Sequence, residues 1–204
     1  MRLINNSFPD GYFSQRNNGR NPYAACNVTA MVDAAVAARW PLPDANPGED
    51  PQPEDRLMLF IESDAQCRQL WRSLDPNGEI PPNQWMAVLA LGLNRWLGQV
   101  AAQFSDSVEI QRMIGELAQG GTCVVCGMFP RTSGHVVAVV GVALDDSIQP
   151  VHWIIDDPYG DYRTNYESEK GDDVEMPHAD FLSILNTRGA HRKWCHMIRP
   201  YGAA

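Results

Sequence analysis

The order of two hydrophobic patterns along the chain predicts an α+β fold. Apolar residues recur at helical spacing in four stretches between Cys26 and Ala118. From Gly121 onward they gather into short β-branched runs separated by turn residues. Helices first and consecutive strands afterwards is an α+β signature. The 204 residues suit one domain, 1–204, with a helical part at about 26–119 and a sheet part at about 120–204.

The elements follow in order. Residues 1–25 are rich in Asn, Gly, Arg and Pro and read as extended chain and turns. Cys26 opens a stretch running to Trp40 that is Ala-rich and apolar around most of its circumference, as a helix buried on several sides requires. Pro41 and Pro43 stop it. Residues 41–55 carry five prolines and five acids and are expected to be a loop. Met58–Trp71 and Gln84–Leu97 are helical by pattern, with a Pro-rich turn at 75–82 between them. Ser107–Ala118 places Val108, Ile110, Met113, Ile114 and Leu117 at helical spacing, and Gly120-Gly121 ends it. Strands are expected at 122–129, 135–142 and 151–155, separated by Pro130, Gly134, Asp145-Asp146 and Pro150.

Charge removes whole classes of function. Sixteen basic and 25 acidic side chains leave a net −9. Nucleic-acid binding needs clustered Lys and Arg to neutralise phosphate, and an anionic membrane makes the same demand. Neither partner is expected. No run of about 18 apolar residues exists to span a bilayer. Met1–Asp10 holds no apolar signal core, so synthesis is expected to leave the chain in the cytoplasm. Five cysteines, an odd number, do not read as a secreted disulfide framework. At least one thiol stays outside any intramolecular bridge.

Three residues at element edges carry the chemistry. Cys26 begins the buried helix, where the positive end of the helix dipole favours thiolate. His135 opens a strand after the Ser133-Gly134 turn. Asp157 follows the strand at 151–155 and precedes Pro158, so its carboxylate can point across the sheet end. Thiolate, imidazole and carboxylate form a nucleophile, base and orienter set. Gln15, eleven residues before Cys26 in a Gly- and Asn-rich segment, is a candidate to donate its side-chain amide to an oxyanion beside the Cys26 N–H. Asp156 rivals Asp157, and strand alternation allows only one of the two to face His135. Each residue alone also has a plain structural reading: an inert buried thiol, a strand-end histidine, an Asp-Pro turn, a turn glutamine.

The runs Ser14-Gln15-Arg16-Asn17-Asn18, Asn21-Pro22 and Cys26-Asn27-Val28-Thr29-Ala30-Met31 resemble the N-terminal box of stand-alone C39-type papain-like cysteine peptidases. Gly120-Gly121-Thr122-Cys123-Val124-Val125 with Gly134–Gly141 resembles the second box, and Asp157-Pro158-Tyr159-Gly160 the third. The resemblance covers 14–31 and 120–160; residues 40–100 are longer and richer in Pro and Trp than a minimal member. It implies a papain-like fold, with the nucleophile helix of an N-terminal helical half packed on a C-terminal antiparallel sheet. It further implies Cys26 as nucleophile, His135 as acid/base, Asp157 as orienter, Gln15 as oxyanion donor, and no cofactor.

The expected activity is amide hydrolysis through a thioester. The substrate expected from the bacterial and phage lysin-like branch is a peptidoglycan peptide or amide bond, reached after release through a permeabilised membrane. A net −9 gives no electrostatic pull toward an anionic wall. The alternatives are a protein or leader-peptide peptidase, a non-catalytic binding module on the same fold, and an acyl transferase. Cys123, Cys126, His191 and Cys195 offer zinc-type donors, but strand positions three apart face opposite ways, so no metal site is expected there. The acids from Asp156 to Glu175 do not match the EF-hand spacing and read as a solvated loop rather than a calcium site. The six tryptophans default to core, with Trp85 or Trp153 as candidates to line a groove.

Overall fold

The computed structural model describes residues 1–43, 52–185 and 192–203. The expected 41–55 loop and His191 therefore lie partly or wholly outside the described residues. Six helices and seven strands are present among them: β1 (Arg2–Asn5), α1 (Cys26–Ala37), α2 (Pro53–Ser63), α3 (Ala65–Leu74), α4 (Met86–Trp96), β2 (Ala102–Glu109), α5 (Ile110–Ala118), β3 (Thr122–Gly127), β4 (His135–Leu144), β5 (Pro150–Asp156), β6 (Val174–Pro177), α6 (His178–Ile184) and β7 (Arg192–Ile198). The fold is α+β, as the patterns predict.

One antiparallel sheet runs β2-β7-β3-β4-β5-β6, with β1 pairing the far end of β4. Strand β4 is buried along its whole length, which its unbroken run of Val and Ala demands. Its alternate residues serve two cores. Val136, Ala138 and Val140 join the core shared with α1, α2 and α4, whereas Val137 and Val139 join the core shared with α5 and α6. Helix α1 is buried nearly all round because it lies between the sheet and the other N-terminal helices.

The elements differ from the sequence reading in several places: α1 ends at Ala37 rather than Trp40, β6, α6 and β7 are not anticipated, and four further differences have a clear local cause. Met58–Trp71 is two helices, broken at Asp64 (φ −66°, ψ 132°), whose carboxylate accepts from Gln66 N and Cys67 N and so caps α3. Helix α2 begins within the stretch read as loop, because Pro53 suits a first helical turn whose N–H groups are free anyway. The fourth helix starts at Ile110, not Ser107; residues 102–109 instead pair with β7, with a register shift between Ser105 and Val108. Arg2–Asn5 pairs as a strand along 141–144 instead of running as unpaired chain. No helix among the described residues is long and apolar enough to cross a membrane.

Candidate active site

The site forms where the N-terminus of α1 meets the ends of β4 and β5. Ala25 gives α1 no side-chain cap, so the first-turn N–H groups and the dipole act on whatever stands at Cys26. His135 is the first residue of β4, and Gly134 reaches it with φ 140°, a conformation that any Cβ would resist. Asp157 lies one residue past β5, and its peptide N–H donates to Gly171 O at 2.8 Å.

His135 Nε2 and Asp157 Oδ1 are 2.6 Å apart, with both side chains buried. Asp157 is fixed by two further donors, Tyr159 N to Oδ1 at 2.9 Å and the Tyr166 hydroxyl to Oδ2 at 3.4 Å. Burial works against the His135 cation, but the charge and hydrogen bond of Asp157, with a smaller contribution from Cys26, push the imidazole up to about 9. Burial likewise works against a Cys26 thiolate. The hydrogen bond and charge of His135, aided by backbone N–H groups of Val136 and Asn27, outweigh it and lower the thiol below its ordinary 9.0. The imidazole is thus raised and the thiol lowered by one another, each favouring the other's charged form.

Gln15 sits in a short helical turn at Gln15–Asn17 and is buried. Its Nε2 donates to Pro22 O at 3.0 Å, which leaves the second amide hydrogen for another acceptor. Gln15, Cys26 and His135 together line one cleft of ≈ 210 Å³. The Asp157-Pro158 turn holds the Gln15 segment directly: Pro158 O accepts from Gln15 N at 2.9 Å and from Ser14 Oγ at 3.2 Å. All four residues singled out in the sequence meet at one end of the sheet.

Asp156 is on the other side, as alternation requires. It accepts from Asp173 N at 3.0 Å, and burial with the charges of Asp172 and Asp173 pushes its carboxyl up to about 7. Asp156, Asp172 and Asp173 are the one close group of metal-type donors among the described residues, and two of the three are exposed acids of a kind common without an ion. The zinc-type donors divide as the strand pattern requires: Cys123 faces the α5 core and Cys126 packs against the α1 core. Trp153 is fully buried, stacked on Phe181 at 4.2 Å, so it lines no groove.

Several supporting residues were not foreseen. Phe129, Tyr159 and Tyr166 surround the His135 ring edge-on, with centroids at 5.3, 6.4 and 6.1 Å. Arg16 stacks over Tyr159 at 4.3 Å and donates to the carbonyls of Tyr159 and Tyr166 at 2.7 and 3.0 Å. A Cβ on Gly171 would collide with the Asp157 carbonyl, so only glycine fits there. These residues act through chain folding, and the available sequence signal was the proximity of Tyr159 and Tyr166 to Asp157. Comparison with protein-family models and with curated protein sequences returns no match.

Proposed function

We propose that the chain is a cysteine hydrolase of amide bonds. The observation that supports this most is the His135 Nε2–Asp157 Oδ1 contact of 2.6 Å beside a Cys26 thiol held below its ordinary value. In this reading the Cys26 thiolate adds to the substrate carbonyl carbon, and Gln15 Nε2 with the Cys26 N–H hold the developing oxyanion. The His135 imidazolium then gives its proton to the departing amine, leaving a thioester. Water, deprotonated by His135, adds to the thioester carbonyl carbon; the C–S bond then breaks, releasing a carboxylic acid and restoring the Cys26 thiolate beside the His135 imidazolium. Asp157 keeps the ring oriented and stabilises its charge throughout.

The papain-like fold belongs to the same proposal. A thiol-bearing helix packed on an antiparallel sheet, whose strand ends present His and then Asp-Pro, agrees in order with the C39-type resemblance carried by 14–31 and 120–160. Peptidoglycan is the proposed substrate and protein the competing one. Purified peptidoglycan and denatured casein are incubated with the wild type and with Cys26→Ala, and new free amines are counted. Release from peptidoglycan that the variant loses by about 10³-fold or more supports the reading. Release from casein alone transfers it to a protein peptidase, and equal behaviour of the two proteins removes it.

A further inference from the structure

The catalytic cleft has one wall whose charge the proposed chemistry does not use. Residues Phe129 to Thr132 form a tight turn: Thr132 N donates to Phe129 O at 3.2 Å, and Thr132 Oγ1 donates to the same oxygen at 3.0 Å. Pro130 is its second residue, and its third, Arg131, has φ 57°. That is the turn position at which Gly or Asn is ordinarily found, because a Cβ is disfavoured at positive φ. Here an arginine takes it. Such a conformation persists only where the surroundings enforce it, and it directs attention to the side chain that is carried.

The surroundings enforce it through the site itself. Phe129 is buried and meets the His135 ring edge-on at 5.3 Å, so the turn and the imidazole share one anchor. Arg131 is exposed and lines the same ≈ 210 Å³ cleft as Cys26 and His135. Among the described residues lining that cleft it is the sole Lys or Arg, and no Asp or Glu is present. Four other arginines meet carboxylates: Arg16 meets Glu169 at 3.1 Å, Arg20 meets Glu62 at 2.8 Å, Arg95 meets Asp64 at 2.7 Å, and Arg163 meets Asp161 at 2.9 Å. Arg131 forms no ion pair or hydrogen bond with a described residue. A permanently charged, planar donor set held at the mouth of a reaction cleft fits a carboxylate.

The order of residues along the cleft-lining segment bears on which part of the substrate carries it. The proton donor to the departing amine is His135, and the 131–134 segment runs directly into His135. Gln15 belongs to the N-terminal segment and serves the carbonyl oxygen. We infer that Arg131 is a specificity-determining residue that binds a carboxylate on the amine-side fragment of the substrate, close to the bond that is cut. The inference rests on the cysteine-hydrolase reading of the same cleft and adds to it a substrate class: amides whose departing fragment is anionic near its new amine, from either an acidic side chain or a free α-carboxylate.

The test uses Cys26 as its own reporter. Iodoacetate and iodoacetamide alkylate the same sulfur by the same displacement of iodide and differ in one carboxylate. Their rates at Cys26 are measured by mass spectrometry in the intact wild type, Arg131→Gln and Arg131→Lys, and compared as the ratio of anionic to neutral reagent. The His135 cation attracts iodoacetate in all three proteins, so the variants isolate Arg131. The ratio is expected to fall about two- to fivefold in Arg131→Gln, to recover in Arg131→Lys, and to fall in the wild type at high salt. A ratio unchanged in Arg131→Gln overturns the inference. Iodoacetamide labelling of Cys26 no faster than that of Cys67 overturns the hydrolase reading instead. The source is found by protecting wild-type Cys26 from iodoacetamide with acetyl-Ala-Glu-Ala-amide, with acetyl-Ala-Ala-Ala bearing a free carboxylate, and with its neutral amide. Stronger protection by the first identifies an acidic side chain, and by the second an α-carboxylate. Protection by neither beyond the amide overturns the inference.

Discussion

Two regions of one sheet each hold a buried imidazole near a thiol, and they behave in opposite ways. At the ends of β4 and β5, His135 is pushed up to about 9. On β7, His196 is equally buried, and burial alone pushes it down to about 3. Among the described residues neither ring nitrogen of His196 has a hydrogen-bond partner, and its ring lies among aromatic neighbours, 5.0 Å from Phe104 and 5.3 Å from Trp194. The thiols divide in the same way. Cys26 is lowered, whereas Cys123, hydrogen-bonded to Cys195 and fully buried, is raised well above its ordinary value. The residue types are the same. What differs is one carboxylate and one helix N-terminus, which convert burial from a force that discharges these groups into a setting that strengthens their pairing.

That contrast is most severely broken by Asp157→Asn. The variant keeps the shape but removes the charge, so His135 loses its main support and moves toward the state of His196. Activity should fall on the order of 10²- to 10⁴-fold, with the basic limb of the pH–rate profile, expected near 9 in the wild type, displaced downward. The linked stability has a definite sign. The folded state holds the His135 proton more tightly than the unfolded chain does, so this contribution is complete below about 6.5 and lost as pH rises through about 9. Urea midpoints between pH 6 and 9.5 in the two proteins measure it; only the wild type should show that loss.

A smaller effect follows from geometry alone. Gly171→Ala drives a methyl group into the Asp157 carbonyl and shifts the orienting carboxylate without changing any charge. A displacement of about 1 Å costs about 10²-fold in turnover. The variant should still bind the neutral tripeptide amide, so Cys26 protection with that peptide separates misplacement from loss of fold.

The smallest change is expected in the other region. His196→Leu replaces a ring with two unsatisfied buried nitrogens by an apolar side chain of similar size, and should stabilise by about 1 kcal/mol, or a few degrees in Tm, with turnover unaltered. Because the unfolded chain binds the His196 proton between about 6.5 and 3 while the folded chain does not, wild-type stability falls with acid over that window. The variant should lose that part of the dependence.

The same two regions explain how much was legible in the sequence. Cys26, His135 and Asp157 could be read because each stands at an element boundary that local residues announce: an Ala-rich helix, a Ser-Gly turn, an Asp-Pro turn. The choice of Asp157 over Asp156 required the resemblance, and so did the preference for Gln15 as an oxyanion donor over a turn residue, since a Gly- and Asn-rich stretch does not by itself distinguish the two. Strand β2 escaped notice because Ala102–Glu109 lies at the sheet edge, where polar side chains are tolerated and Ser105, Asp106 and Ser107 break the alternation. The break at Asp64 escaped because apolar spacing continues across it, and an Asx cap differs from a helical Asp only in backbone angles. Tyr166 and Gly171 reach Asp157 through a loop, a relation that periodicity does not encode.

The proposed mechanism requires Cys26 to ionise more readily than the other thiols. The rate of iodoacetamide labelling at each cysteine against pH measures this directly. Labelling of Cys26 should become rapid at a lower pH than an ordinary thiol requires and change again as His135 deprotonates near 9, while Cys126 and Cys67, pushed up to about 11 and about 12, label far more slowly throughout. A Cys26 rate that climbs only as pH approaches the ordinary thiol value, in step with the other cysteines, would contradict it.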